Sequence, residues 1–202
     1  MTGRDALSVR QAVQGGGGWD GRAILDKERL ESLFREHGFE DFTWIDPGEI
    51  VVAQWVRMKC RHGCDGFGSH PMCPPNALPV AECRQFLGEY TSGVVFHLPR
   101  TLSDPKERHE WLKKEDARLL RLERAVFLEG HVKAFALFSG SCHLCADCPD
   151  TTTDCMHPEL ARPTPEALGV DVFSTVRNYG LPIEVLKTYD EAMNRYSFLL
   201  VE

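Results

Sequence analysis

Residues 133–155 read KAFALFSGSCHLCADCPDTTTDC. The first eight, rich in β-favouring and apolar side chains, predict a strand. That strand runs directly into a loop carrying Cys142, Cys145, Cys148 and Cys155. Two expectations follow for the whole chain: a β-sheet with packed helices, and a thiol-rich loop at the end of one of its strands.

Working outward towards the amino end, the periodic apolar positions Leu112, Leu119, Leu122 and Val126 predict a long helix from Pro105 to Leu128, its stripe interrupted by Glu115 and Asp116. SGVVFHL (92–98) predicts a short buried strand, and PVAECRQFLGEY (79–90) a helix. EIVVAQWVRMK (49–59) alternates and is rich in β-formers, which predicts a strand leading into Cys60. Asp26 is placed to cap a helix through His37, ended by Gly38, with Leu30, Leu33 and Phe34 on one face. Towards the carboxyl end, TPEALGVDVFSTVRNYG (164–180) predicts a helix with Pro165 in its first turn and Gly180 past its end. PIEVLK (182–187) and RYSFLLVE (195–202) predict two further strands.

This alternation predicts an α/β (or α+β) fold, a mixed β-sheet with packed helices and two cysteine-rich metal-binding loops at strand ends. Residues 1–22, with the Gly15–Gly18 run, are expected to form a flexible tail, and residues 23–202 a single domain. The glycine run lacks the preceding strand and the following Lys-Ser/Thr of a phosphate loop.

The 202 residues, 43% hydrophobic and 26% charged, suit one globular domain. A domain of this size buries roughly 70% of its unfolded surface, so it does not need its eight cysteines as staples. A net charge of −7 without a dense Lys/Arg stripe argues against nucleic acid as a partner. No apolar run approaches the roughly 18 residues of a membrane span. The first 22 residues lack the apolar core of a secretory signal, so the expected location is the cytoplasm. In that reducing compartment thiols serve metals or redox chemistry more often than disulfides.

Three cysteines at C-x2-C-x2-C spacing can wrap three corners of a cubane, with a more distant cysteine on the fourth. Here the fourth, Cys155, follows after a longer gap than in the two-cluster ferredoxin run, and Pro149 directly follows the third cysteine. Zinc is the main competitor, but it prefers two CxxC-like pairs, for which a cysteine midway between two others is surplus. The spacing therefore favours a [4Fe-4S] cluster over zinc, with redox-active or inert thiols behind both.

A second group, Cys60, Cys64 and Cys73, lies in VRMKCRHGCDGFGSHPMCPPNALP (56–79), rich in Gly and Pro. Its spacing matches no zinc module. Three ligands would leave an open coordination position, as catalytic sites do, or the thiols would complete a structural site. Cys83 lies inside a predicted helix, where a lone cysteine is more often a small core residue than a fourth ligand. His62, His70, His143 and His157 flank the cysteines and are read as hydrogen-bond donors to sulfur ahead of ligands.

Taken together, VRMKCRHGCDGFG, MCPPNALP, LERAVFLEG, KAFALFSGSCHLCADC, CMHPELARPTPEALGVDVF and RNYGLPIEV resemble a family of predicted metal-binding proteins, domain of unknown function 2284. The resemblance implies metal binding, of iron–sulfur type, with Cys60, Cys64, Cys73, Cys142, Cys145, Cys148 and Cys155 on the family's cysteine positions. Phe67 stands where the family usually has Tyr, and Gly-Ser-Cys at 140–142 where Gly-Pro-Cys is usual. Three functions are weighed: electron transfer through a four-cysteine cluster to an unidentified redox protein, an enzyme with an open-site metal at the Cys60 loop acting on a small-molecule substrate, and a zinc-stabilised interaction module.

Overall fold

In a computed structural model of the chain, residues 25–145, 148–149, 151 and 154–202 are described. The tail expected over residues 1–22 lies outside them. Among the described residues five α-helices and four strands follow one another: α1 (Lys27–Glu36), β1 (Phe42–Ile45), α2 (Gln54–Gly63), α3 (Val80–Leu87), β2 (Gly93–Arg100), α4 (Pro105–Leu128), β3 (Phe135–Leu137), α5 (Val172–Asn178) and β4 (Met193–Leu200). The strands form one sheet in the order β1-β2-β4-β3. Every neighbouring pair is antiparallel, so the sheet is not the mixed one expected.

Strand alternation divides the interior into two cores. Val94, Phe96 and Leu98 of β2 and Leu199 of β4 join Leu30, Leu33 and Phe34 of α1 and Leu119, Leu122 and Val126 of α4. On the opposite face, Val95, Tyr196, Phe198 and Leu200 meet Cys83 and Leu87 of α3 and Val172 and Val176 of α5. The sheet is thus covered on both faces by an apolar core. No described helix is long and apolar enough to cross a membrane.

Three local expectations are corrected. Residues 54–63 are the helix α2, not a strand; of the preceding apolar run only Val52 makes a bridge, to Val170. Only Val56 of α2 is buried, while Trp55 and Met58 face outward, so the apparent alternation does not describe a sheet face. Arg57 docks the helix by donating to the carbonyls of Leu78 (2.9 Å) and Ala167 (2.8 Å).

The helix expected over 164–180 is two pieces, a 3-10 turn at Glu166–Leu168 and α5. Gly169 separates them at φ 81°, and a Cβ there would sit 3.2 Å from both Val80 methyls. Asp171 then starts α5 by accepting the Ser174 amide at 3.1 Å. The expected strand at 182–187 is absent: Val185 is exposed and the segment is pinned through the Pro182 carbonyl, which accepts the Tyr196 hydroxyl. Conversely, β1, only four residues long, is too short to stand out in the sequence.

Candidate metal centre

The Cys142 loop leaves the sheet just beyond β3. The Phe138 amide donates to the Pro163 carbonyl at 3.0 Å, so entry and exit of the loop are tied at its base. Gly140 passes close to α4, where a Cβ would lie 3.3 Å from Leu112 Cδ1. Arg162 fixes the exit: its guanidinium donates to both oxygens of Glu123 on α4 at 2.8–3.1 Å and to the Glu159 and Ala161 carbonyls. Glu123 is buried, so this pair is charge-assisted and largely dry. Lysine cannot reproduce the fork. Arg162→Lys is therefore expected to cost about 2 kcal/mol in urea unfolding, the scale of hydrogen bonds to charged groups; an unchanged midpoint would show that the pair does not hold the loop.

Within the loop, Cys142, Cys145, Cys148 and Cys155 border one pocket. Its other walls include Leu144, Pro149, Ala161 and His157, together with Pro71 and Met72 from the Cys60–Cys73 segment. The first cysteine segment is therefore packed against the second, a long-range meeting that sequence spacing could not state. Among the described residues no three His, Cys, Asp or Glu side chains converge as a set for a metal ion. The four thiols share a pocket without meeting at one point.

The expectation of two cysteine clusters at strand ends is thus corrected. Cys60 lies in the last turns of α2 and Cys64 caps it, so this group starts on a helix and not at a strand end. Cys64 is exposed, whereas Cys60 and Cys73 are half-buried. Gly66 lies between Cys64 and His70: a Cβ there would be 3.7 Å from Cys64 Sγ and 3.7 Å from the His70 ring. His70 Nδ1 is buried without a partner among the described residues. The backbone of the segment closes on itself through Gly68 N–H to the Pro74 carbonyl at 2.9 Å, and the Pro74–Pro75 bond is cis.

Cys83 is fully buried in the core and its thiol donates to the Leu78 carbonyl at 3.3 Å, which satisfies it away from the other cysteines. His62 and His157 are exposed. His143 packs against His109 with ring centroids 4.2 Å apart. Burial, then the neighbouring His109, His70 and Lys113, lowers its pKa to about 4, so its imidazole is neutral at pH 7.

Burial is also the first cause of the shift at the thiols. It raises Cys60 and Cys142, and it pushes Cys73 up to about 11, assisted by Cys64, Cys60, Cys142 and Cys148. These groups are thiols at neutral pH, and a metal must displace their protons on binding. Cys73 thus senses both cysteine groups. Asp116 of α4 also faces the loop base: it accepts the Ser139 amide, its ionised form bears on Cys142, and its Oδ2 is buried without a partner among the described residues. Sequence reasoning singles out Asp116 only as an interruption of the helix stripe.

The donor set is therefore thiol-rich, with imidazole alongside, and apolar in its surroundings, which suits a thiophilic metal. Residues 43–201 match the family described as predicted metal-binding protein (DUF2284). The chain belongs to that family. No curated protein and no solved structure matches it. Membership of DUF2284 carries metal binding in general terms and leaves the identity of the metal to the chemistry of the site.

Proposed function

We propose that this DUF2284 protein is an iron–sulfur protein acting in electron transfer or redox metabolism. Cys142, Cys145, Cys148 and Cys155 would hold a [4Fe-4S] cluster, which supplies one-electron transfer when bound. The observation that carries the reading is that all four thiols border one pocket walled by Leu144, Pro149, Ala161, Pro71 and Met72.

Each wall has a physical purpose in this reading. The apolar side chains limit water access, which controls the potential of a group held there. The tied base at Phe138 and Pro163, with the Arg162–Glu123 pair, holds the ends of the ligand loop in place. The thiols of the Cys142 loop lose their protons on ligation, so metal uptake gains strength as pH rises. The net charge of −7 suits docking on a basic redox partner, and the thiol chemistry suits a reducing cytoplasm.

A second reading rests on Cys73, which lies within electrostatic reach of Cys60, Cys64, Cys142 and Cys148. Cys60, Cys64 and Cys73 would then form a second metal site with an open position, giving an enzyme rather than a carrier. Zinc at the four-cysteine pocket would instead make the chain an interaction module.

Anaerobically purified protein is expected to be brown, with broad visible thiolate-to-iron absorption that bleaches on reduction. Colourless protein, even after anaerobic reconstitution with iron and sulfide, would contradict the iron–sulfur reading. In Cys60→Ala protein the absorption should fall in part if the second group also binds iron, and should stay whole if it does not.

A further inference from the structure

Helix α4 sorts its charges between its two sides. After Glu110 its acids lie inward: Glu115 is half-buried beside Arg118, Asp116 is buried and accepts the Ser139 amide, and Glu123 is buried against Arg162. The cations Lys113, Lys114, Arg121 and Arg124 are all exposed, and their side chains make no hydrogen bond or ion pair among the described residues. At about 3.6 residues per turn these four share the face opposite Leu119 and Val126, with Ala117 between them. The stripe is roughly 16 Å long, at about 1.5 Å of rise per residue. Arg121 and Arg124 stand three apart, where like charges weaken a helix, so α4 itself has no need of the pattern.

The surroundings of the stripe leave it uncompensated. In α1, which packs beside α4, Glu31 meets Arg35 and Glu36 meets Arg29, and Glu129 at the end of α4 also meets Arg29. At its carboxyl end the stripe runs into exposed apolar side chains, Phe127, Leu128 and Val132. At its other end it adjoins the cysteine loop. Leu112 lies against Gly140, the charge of Lys113 bears on His143, and His109 packs on that same His143 ring. A cationic face with an apolar end thus stands next to the loop that carries Cys142, Cys145, Cys148 and Cys155.

The chain as a whole has a net charge of −7, so this face is opposite in sign to the rest. The net charge favours a basic partner only at long range. Beyond a Debye length of about 8 Å exposed charges are screened, and contact is made by the local surface. We propose that the outer face of α4 docks an acidic electron-carrier protein, whose carboxylates meet Lys113, Lys114, Arg121 and Arg124 and whose apolar patch meets Leu128 and Val132. The proposal rests on the iron–sulfur reading for the electron's destination: one electron passes between the carrier and the group held in the four-thiol pocket, and no bond is made or broken. Other occupants fit this face less well. A second copy of the chain on a two-fold axis would set cations against cations. A nucleic-acid duplex or an anionic membrane extends past the stripe onto a protein of net negative charge, and the apolar side of α4 is in the core, out of reach of lipid.

Titration calorimetry of the full chain at low salt, with a plant-type [2Fe-2S] ferredoxin as the acidic carrier, tests this. Saturable binding is expected, weakened at least tenfold in Arg121→Glu/Arg124→Glu protein. Lys59→Glu/Lys187→Glu protein undergoes the same change of net charge at exposed positions off the stripe, and should bind within twofold of wild type. Reduction of reconstituted protein by reduced ferredoxin should slow in the Arg121→Glu/Arg124→Glu variant, with reduction by dithionite unchanged. Absence of saturable binding, or equal weakening by the two double variants, overturns the proposal. A DNA duplex or phosphatidylserine vesicles binding more tightly than ferredoxin, with the same loss in Arg121→Glu/Arg124→Glu protein, overturns the assignment to a protein partner. Cys145→Ser protein should bind ferredoxin as wild type does, so failure of the iron–sulfur reading and failure of this docking face are separable.

Discussion

In Cys145→Ser protein, iron is expected to be lost while the four-stranded sheet keeps its protection. Cys145 borders the four-thiol pocket, and serine offers a hard, poorly ionised oxygen in place of a soft thiolate. Structural metal can contribute about 10–16 kcal/mol in small zinc peptides, comparable with the roughly 5–15 kcal/mol total stability of a domain. This chain differs from such peptides in having two apolar cores, one on each face of the sheet, neither of which includes Cys145. The loop is also closed at its base by the Phe138–Pro163 hydrogen bond, so loosening can stay local. Hydrogen exchange should show lost protection within the loop and retained protection in β2 and β4. Global loss would mean that the metal, and not the cores, holds the fold.

The second large effect is a pH dependence centred on Asp116. Burial, then the charge of Glu115, pushes its carboxyl up to about 8, against the opposing donation from the Ser139 amide. The folded state therefore keeps a proton that the unfolded chain, near its ordinary value of 3.8, releases. Stability from this group is fully present below about pH 4 and is lost as pH rises towards about 8, by about 5 kcal/mol on the linkage scale. The substitution Asp116→Asn keeps nearly the same shape, leaves an oxygen to accept the Ser139 amide, and removes the titration. The variant is expected to match wild type near pH 4 and to exceed it by several kcal/mol at pH 8 in urea unfolding. Parallel pH profiles for the two proteins would show that Asp116 is ionised and solvated in the folded state.

Much of this architecture was legible where burial imposed a period. Leu30, Leu33 and Phe34 marked α1, and the stripe of Leu112, Leu119, Leu122 and Val126 marked α4. Asp116 and Glu123 fall on that same buried stripe. Their acidity inside an apolar period was the available signal: Glu123 is there to meet Arg162, and Asp116 to meet the Ser139 amide. What could not be read was set by distant partners. Arg57 reaches carbonyls of Leu78 and Ala167, and this docking accompanies a helix where Val51 and Val52 suggested a strand. Gly169 breaks the later helix with its left-handed backbone, and Val80, far away in sequence, leaves no room there for a side chain. The cysteine spacing pointed to the four thiols of one pocket, but nothing in it placed Pro71 and Met72 on the pocket wall.

If the pocket of Cys142, Cys145, Cys148 and Cys155 holds an iron–sulfur cluster as proposed, metal and acid-labile sulfide analysis of anaerobically reconstituted protein will reveal it. One cluster predicts about four irons and four sulfides per chain, both lost in Cys145→Ser, and a second cluster at the Cys60 group would double the count. Stoichiometric zinc with no acid-labile sulfide would contradict the account.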